Sequence, residues 1–326
     1  MRILITGATG FVGGHLIEKL LDSSQHELHG LSRRAIWPAH LQHLAGRASL
    51  HAVDLLDRTA TEDLLRDLDP KWIFHLAGYA NTAKSYGEPE KAWESNLQAT
   101  DRLYDAIARS GYRPRVLFTS TGLVYGNPSG GDQLCSESDL IAPAGPYAAS
   151  KAAADLLSAQ VTFHLGLDVI RVRCFNQIGP RQSADYATAN FARQIALIER
   201  GSQPAIMETG DLSSQRDLTD VRDMVRAFVL LMERGLSGEA YNAGSGIALS
   251  MQTVLDRMLA LARTPIEVRQ RSDPARLAET AVSRANVKKI RDATDWQPEY
   301  TLDQSLADVL DYWRNEVQRP TEGATS

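Results

Sequence analysis

Tyr147 and Lys151 stand four residues apart in the segment Pro146-Tyr147-Ala148-Ala149-Ser150-Lys151. On a helix that spacing puts both side chains on one face, and Pro146 suits the first helical position. An ammonium beside a phenol stabilises the phenolate and lowers the tyrosine pKa from its usual ~10. A tyrosine tuned that way passes a proton to or from a carbinol or carbonyl oxygen. Such pairs are common as surface decoration, but this one follows Thr119-Ser120-Thr121. A hydroxyl there, at a strand end, can hydrogen-bond the same oxygen that Tyr147 protonates.

Chemistry of this kind needs a scaffold and a partner, and the N-terminus supplies both. A short apolar run, Ile3 to Ile5, breaks into Gly7-x-x-Gly10-x-x-Gly13, and an amphipathic stretch from Phe11 to Leu21 follows at once. That order reads strand, tight glycine turn, helix. Glycine admits positive φ and close backbone approach, and the new helix directs its free N–H groups at an anion such as a pyrophosphate. In this context the glycines predict dinucleotide binding.

The first half alternates further. Strands are expected at Arg2–Thr6, Glu27–Leu31, Leu50–Val53, Trp72–Leu76, Arg115–Ser120 and Asp168–Cys174, with helices at Thr59–Leu68, Pro89–Ser110 and Pro146–His164. This pattern predicts an α/β fold with a Rossmann-type, doubly wound parallel sheet. Ligands on such sheets sit at the carboxyl ends of the strands, where Gly7, Ser32, Asp54, Ala77, Ser120 and Asn176 fall. Beyond residue 176 the alternation becomes irregular, with helices expected at Tyr186–Arg200, Val221–Arg234 and Ser250–Ala262 and a short strand at Ala240–Asn242. Ser250 suits an N-cap. The organisation expected is a dinucleotide-binding domain over 1–175 and a smaller, interleaved substrate region over 176–326, of which 215–245 packs back on the first.

The chain has 326 residues, 43% of them hydrophobic and 23% charged, with a net charge of −5. No long basic run argues for a nucleic-acid partner, and no stretch approaches the ~20 apolar residues of a membrane span. With a core strand read from residue 2, no signal peptide is expected. Cys135 and Cys174 alone make neither a disulfide framework nor a zinc site, so a reducing cytoplasm and no metal are expected.

With these pieces assembled, the chain resembles the extended short-chain dehydrogenase/reductase family of nucleotide-sugar enzymes over nearly its whole length. The matching stretches are TGATGFVG (Thr6–Gly13), Asp54-Leu55, HLAG (His75–Gly78), Asn96 in ESNLQAT, TSTGLVYG, PYAASK, RCFNQIGP (Arg173–Pro180), DLTDVRD (Asp217–Asp223), YNAGSG and DWQP. The resemblance implies that Thr121, Tyr147 and Lys151 are catalytic and that Asn96 supports the lysine. It implies cofactor contacts from Gly7, Thr9, Gly10, Phe11, Val12 and Gly13 at the pyrophosphate, from Asp54 and Leu55 beside the adenine, and from Ala77 and Gly78. It also implies a homodimer formed through the helices holding Asn96–Ser110 and Tyr147–His164, with Leu103, Ile107, Leu156 and Leu157 as apolar residues at helical spacing. The second half is similar to that family's GDP-4-keto-6-deoxy-mannose reductases and GDP-mannose 4,6-dehydratases, through FNQIGPRQS, NFARQIALIE and SSQRDLTDVRDMVRAF. There the resemblance implies a GDP-sugar substrate. Asn176, Arg193 and Arg216 would face its diphosphate, and Arg276 and Glu279 its ribose. Leu277 and Ala278 stand where those relatives usually carry proline and a small hydroxyl residue.

The dehydratases of that family place a carboxylate two residues after the catalytic threonine, and the GDP-fucose synthases place a cysteine there and a histidine after the Gly-Pro. This chain has Leu123 and Arg181 instead. Neither elimination nor 3,5-epimerisation finds its usual acid or base, which leaves reduction of a 4-keto sugar or C4 epimerisation. The second strand ends Ser32-Arg33-Arg34, with no carboxylate for the adenosine ribose and two arginines able to meet a 2′-phosphate. That favours NADP(H) and hence reduction, with NAD(H) and a resident-cofactor epimerase as the alternative. A non-catalytic dinucleotide sensor would lack the tyrosine or the lysine.

Overall fold

The computed structural model describes residues 1–23, 26–127, 134–271 and 282–318. Seven parallel strands form the main sheet: β1 (Arg2–Thr6), β2 (Glu27–Ser32), β3 (Ser49–Ala52), β4 (Trp72–His75), β5 (Arg115–Thr121), β6 (Asp168–Cys174) and β10 (Ala240–Ala243). Their spatial order is β10-β6-β5-β4-β1-β2-β3. The chain winds outward from β1 in one direction and then restarts at β4 on the other side of β1. The crevice at that reversal is where ligands bind on such sheets.

Alternating side chains explain the layers. Ile3 and Ile5 point to one face with Phe74 and Leu117, and meet α1 (Phe11–Leu21) and α7 (Val221–Arg234). Leu4 points to the other face with Ile73, Val116 and Phe118, against α2 (Arg58–Leu68), α4 (Ala99–Ser110) and α5 (Pro146–Leu165). A strand buried on both faces is apolar at successive positions, which is why these runs read as continuous rather than alternating. The helix expected over Pro89–Ser110 is interrupted: α3 (Pro89–Trp93) passes through one π-helical turn, Glu94–Gln98, before α4.

The smaller region is built from short pieces that carry little periodicity. β7 (Asn176–Ile178) pairs with β9 (Gln215–Asp220), which also pairs with β11 (Ala248–Ser250) and β13 (Val282–Ser283). β8 (Ile206–Thr209) pairs with β12 (Glu267–Gln270). A third core joins α6 (Ala187–Glu199), α8 (Met251–Leu259) and α10 (Leu302–Glu316) through Ile195, Val254, Leu306 and Leu310. Ser250 caps α8 by accepting from the Thr253 amide. α9 (Lys288–Thr294) leads into Trp296, which is fully buried in the first core. α7 packs on α1, and β10 completes the edge of the main sheet beside β6.

Leu103 and Ile107 lie in the core between α4 and the sheet, so they do not form an outer stripe. Leu156 is exposed on α5, and further along the same helix Phe163 is almost wholly exposed, at 96%. No helix among the described residues is long and apolar enough to cross a membrane.

Candidate active site

One cleft of about 1150 Å³ runs across the carboxyl ends of the main sheet. Its floor begins at the glycine turn. Gly7 has φ +69°, and a Cβ there would lie 2.9 Å from the Ala77 nitrogen, so β1 and β4 leave room only for glycine. A Cβ at Gly13 would meet the Gly7 carbonyl oxygen at 2.3 Å, which keeps α1 pressed onto the turn. Gly10 is the N-cap of α1 and offers no side-chain acceptor, and the first turn holds no acidic residue. The free N–H groups there therefore await an external anion, and the cradle fits a pyrophosphate.

At one end the cleft is lined by Ser32, Arg33, Arg34, Asp54 and Leu55. The Ser32 hydroxyl donates to the Arg34 carbonyl, turning the chain sharply at the end of β2. Asp54 accepts from the Leu56 amide at 3.0 Å, so this carboxylate is committed to its own turn. Thr9, Phe11 and Val12 line the middle with Ala77 and Gly78.

At the other end Thr121, Tyr147 and Lys151 come together from β5 and α5. Pro146 opens α5 in its first turn, with Gly145 as N-cap. Lys151 is only 6% exposed, and its ammonium lies 4.6 Å above the Phe118 ring. Burial pushes its pKa down to about 8. The Tyr147 pKa is raised, contrary to the expectation from its spacing with Lys151: burial outweighs every other influence, the neighbouring Tyr186 adds to it, and a hydrogen bond from Thr121 opposes it. An i, i+4 spacing fixes which face two residues share, but it does not fix how much protein surrounds them. Thr121 also caps the 3₁₀ turn Gly122–Tyr125 by accepting from the Leu123 amide. That turn brings Leu123 to the cleft wall beside Thr121.

Asn96 lies behind this wall, 1% exposed, in the π turn between α3 and α4. Its side chain accepts from the Tyr79 amide at 2.8 Å and donates to the Ser150 hydroxyl at 2.9 Å. Ser150 in turn donates to the Tyr147 carbonyl. The Asn96 carbonyl accepts from Thr100, which also meets His75 Nε2 at 2.9 Å; His75 Nδ1 meets Thr6 at 2.8 Å. Thr100 can donate only once, so Nε2 carries the imidazole proton. Burial and the Lys151 charge hold the His75 pKa down to about 3, so the ring is neutral. This fully buried chain of hydrogen bonds ties β1, β4 and α4 together beneath the lysine. The HLAG stretch does not reveal this role, because Thr6, His75 and Thr100 meet only in the fold.

Tyr186 is a further cleft residue that the sequence does not mark. It lines the cleft near Tyr147, and its hydroxyl donates to the Ala80 carbonyl at 3.1 Å, spanning the two walls. No motif around it signals this. Of the residues expected at the substrate, Asn176 lines the mouth of the cleft, exposed. Arg193 is exposed on α6, and Arg216 lies on β9 donating to the Gln215 carbonyl; neither lines the cleft. Arg276 and Glu279 lie outside the described residues. Among the described residues no cluster of His, Cys, Asp or Glu is arranged to hold a metal.

A reversed-order parallel sheet, a glycine cradle and a half-buried tyrosine beside a buried lysine at one end of the cleft define a Rossmann-fold protein of the extended short-chain dehydrogenase/reductase class. Residues 4–309 match the family model described as GDP-mannose 4,6 dehydratase, and the chain belongs to that family. It is 33% identical over 319 residues to a GDP-6-deoxy-D-mannose reductase of Pseudomonas aeruginosa, covering 97% of this chain and 98% of the relative. It is 30% identical to a UDP-glucose 4-epimerase of Mycolicibacterium smegmatis, covering 98% and 100%. Among solved structures it is similar to RMD from Pseudomonas aeruginosa complexed with NADPH, with TM-score 0.83 and 31% identity over 97% of this chain and 99% of that one. The NAD complex of a Thermus thermophilus UDP-glucose 4-epimerase gives TM-score 0.85 and 28% identity over 96% and 99%. The relatives are reductases, epimerases and dehydratases, and support an oxidoreductase-type enzyme here.

Proposed function

We propose that this chain reduces the 4-keto group of a GDP-4-keto-6-deoxy-hexose, giving a product of the GDP-rhamnose type, with NADPH as the reductant. The observation that carries the reading is the composition of the cleft floor: Thr121, Tyr147 and Lys151 stand together, while the wall beside them is the apolar Leu123. These three suffice to protonate a sugar oxygen, and leucine cannot take a proton from C5. The bound dinucleotide would supply the hydride. Tyr147 donates its proton to O4, Thr121 hydrogen-bonds that oxygen, and Lys151 stabilises the phenolate left behind. A tyrosine held protonated by burial suits the donor's role, since reduction needs the acid form at the start.

The cradle of Gly7, Gly10 and Gly13 would hold the pyrophosphate, and Asn96 would keep the Lys151 wall in place through Tyr79 and Ser150. Arg33 and Arg34, where a carboxylate would grip ribose hydroxyls, favour the 2′-phosphate of NADPH. Asn176, Arg193, Arg216, Arg276 and Glu279 are the substrate side of the proposal. It rests for them on the resemblance, and for Asn176 also on its position at the cleft. The protein would act in the cytoplasm as a homodimer, with Leu156 and Phe163 on the exposed face of α5 as the apolar contact.

The second reading is C4 epimerisation with resident NAD, favoured by the likeness to the epimerases and by the use of the same three residues. One assay separates the two. Absorbance loss from NADPH on adding GDP-4-keto-6-deoxy-mannose supports the reductase. Interconversion of a C4 epimer pair without net change in the dinucleotide supports the epimerase.

A further inference from the structure

The residue after the Gly-Pro turn, Arg181, does not enter the cleft. Its backbone has φ +75°, the left-handed region that a side chain with a Cβ rarely adopts. Its guanidinium turns back onto α1, where Nη1 and Nη2 each donate to the Glu18 carboxylate at 2.6 Å. Nη2 also meets His15 Nδ1 at 2.8 Å, and His15 Nε2 meets the Pro180 carbonyl at 3.1 Å. Arginine can only donate, so Nδ1 is the acceptor and Nε2 carries the proton. Burial and Arg181 hold the His15 pKa down to about 4, which keeps the ring neutral. The Arg181 side chain is 12% exposed. A planar fork on a carboxylate, shielded and with a second bolt beside it, is a fixed joint rather than a solvated surface pair.

Glu18 holds a second segment as well. Its Oε1 accepts from His43 Nε2 at 2.7 Å, on the 3₁₀ turn Ala39–Leu44. That turn directly follows Arg33, Arg34, Ile36 and Pro38, which line the adenosine end of the cleft. On the other arm, Gln182 and Ser183 follow Arg181 and line the end near Tyr147. Gln182 is itself fixed, donating to the Gln177 carbonyl at 2.7 Å and accepting from Thr188. One carboxylate on the cofactor helix therefore anchors both ends of the cleft.

We propose that Glu18 is a positioning residue that sets two binding surfaces at once: the sugar-facing turn Gly179–Ser183 through Arg181, and the adenosine-facing segment Arg33–Leu44 through His43. This rests on the functional reading above for the identity of the two ligands. It also accounts for Arg181 at the position where fucose synthases carry a histidine: the side chain is spent on α1 and holds the turn from outside.

Three variants distinguish the joint from general loosening. NADPH affinity is read by fluorescence titration, GDP-mannose affinity by calorimetry on the protein saturated with NADP⁺, and folding by thermal melting. Arg181→Gly tolerates the left-handed backbone and removes the fork. It should weaken GDP-mannose about tenfold or more and leave NADPH within twofold. His43→Ala should weaken NADPH about threefold and leave GDP-mannose within twofold. Glu18→Ala should weaken both, with Glu18→Gln as the milder substitute if the alanine variant fails to fold. The proposal is overturned if Arg181→Gly leaves GDP-mannose binding unchanged, if the Glu18 variant affects one ligand only, or if all three variants weaken both ligands alike. If the unaltered protein prefers a UDP- or dTDP-sugar, that ligand replaces GDP-mannose and the same pattern decides. If it binds NADPH but no sugar nucleotide, the functional reading fails and takes this proposal with it.

Discussion

Thr121 and Tyr147 share one end of the cleft, and the Thr121 hydroxyl opposes the burial that otherwise drives the phenol's pKa upward. The two residues reach each other from the end of β5 and the first turn of α5. The pairing holds the proposed proton donor at the strand end that would face the sugar oxygen.

Tyr147→Phe should abolish turnover while leaving cofactor affinity nearly intact. The change removes one hydroxyl and keeps the ring. Loss of general acid catalysis costs typically ~10²–10⁴ in rate. Initial rates of NADPH oxidation and a parallel binding titration check this, and a variant retaining most of its activity would mean that another group donates the proton.

The alkaline side of the pH profile should be set by Lys151. Its pKa is lowered by burial to about 8, so the ammonium is present below pH 8 and lost as pH rises through that value. Tyr147, shifted upward, stays protonated over the same range. kcat/KM for reduction should therefore be flat in the acidic direction from pH 8 and fall above it. Lys151→Met should lower the rate and flatten that limb. A limb unmoved in the variant would assign it to a different group. The same shift makes the folded protein bind fewer protons than the unfolded chain between about pH 8 and the ordinary lysine value, so this residue's contribution to stability rises with pH across that window.

Arg33→Ala should weaken NADPH about tenfold or more and NADH far less, because only NADPH carries the 2′-phosphate and a charge-assisted contact is worth ~1.5–3 kcal/mol. Titration of both cofactors on both proteins gives the answer. Equal losses would remove the argument for NADP and strengthen the epimerase reading.

GDP-mannose incubated with the protein and NADP⁺ alone should yield no 4-keto product by mass spectrometry. Leu123 is an apolar wall where a dehydratase would hold a carboxylate, and it cannot stabilise charge developing at C5. Loss of water from GDP-mannose under these conditions would show that some other residue supplies the base.

The protein should be a dimer by light scattering at micromolar concentration, and Leu156→Asp with Phe163→Asp should shift it to monomer without loss of fold, because both side chains are exposed. A monomeric unaltered protein rejects the α5 contact.

The sequence alone determined the parts that local rules control. A glycine turn between an apolar run and an amphipathic helix fixes strand, loop and helix, because only glycine admits positive φ at Gly7 and close contact at Gly13. The alternation of strand-like and helix-like segments predicts a doubly wound sheet, and Pro146 marks the start of the helix that carries Tyr147 and Lys151. The tertiary structure decided whatever depends on residues far apart in the chain. The Tyr147 pKa rises because surrounding protein, not the lysine one turn away, dominates its environment. Leu103 and Ile107 turn inward because α4 lies on the sheet, while Phe163 is left outside. The short strands β7, β11 and β13 all pair with β9, through partners as distant as Val282 and Gln215, and these three have too few residues for a period to register. Arg181 points to Glu18 rather than into the cleft because α1 passes within its reach, a proximity that a separation of 163 residues conceals.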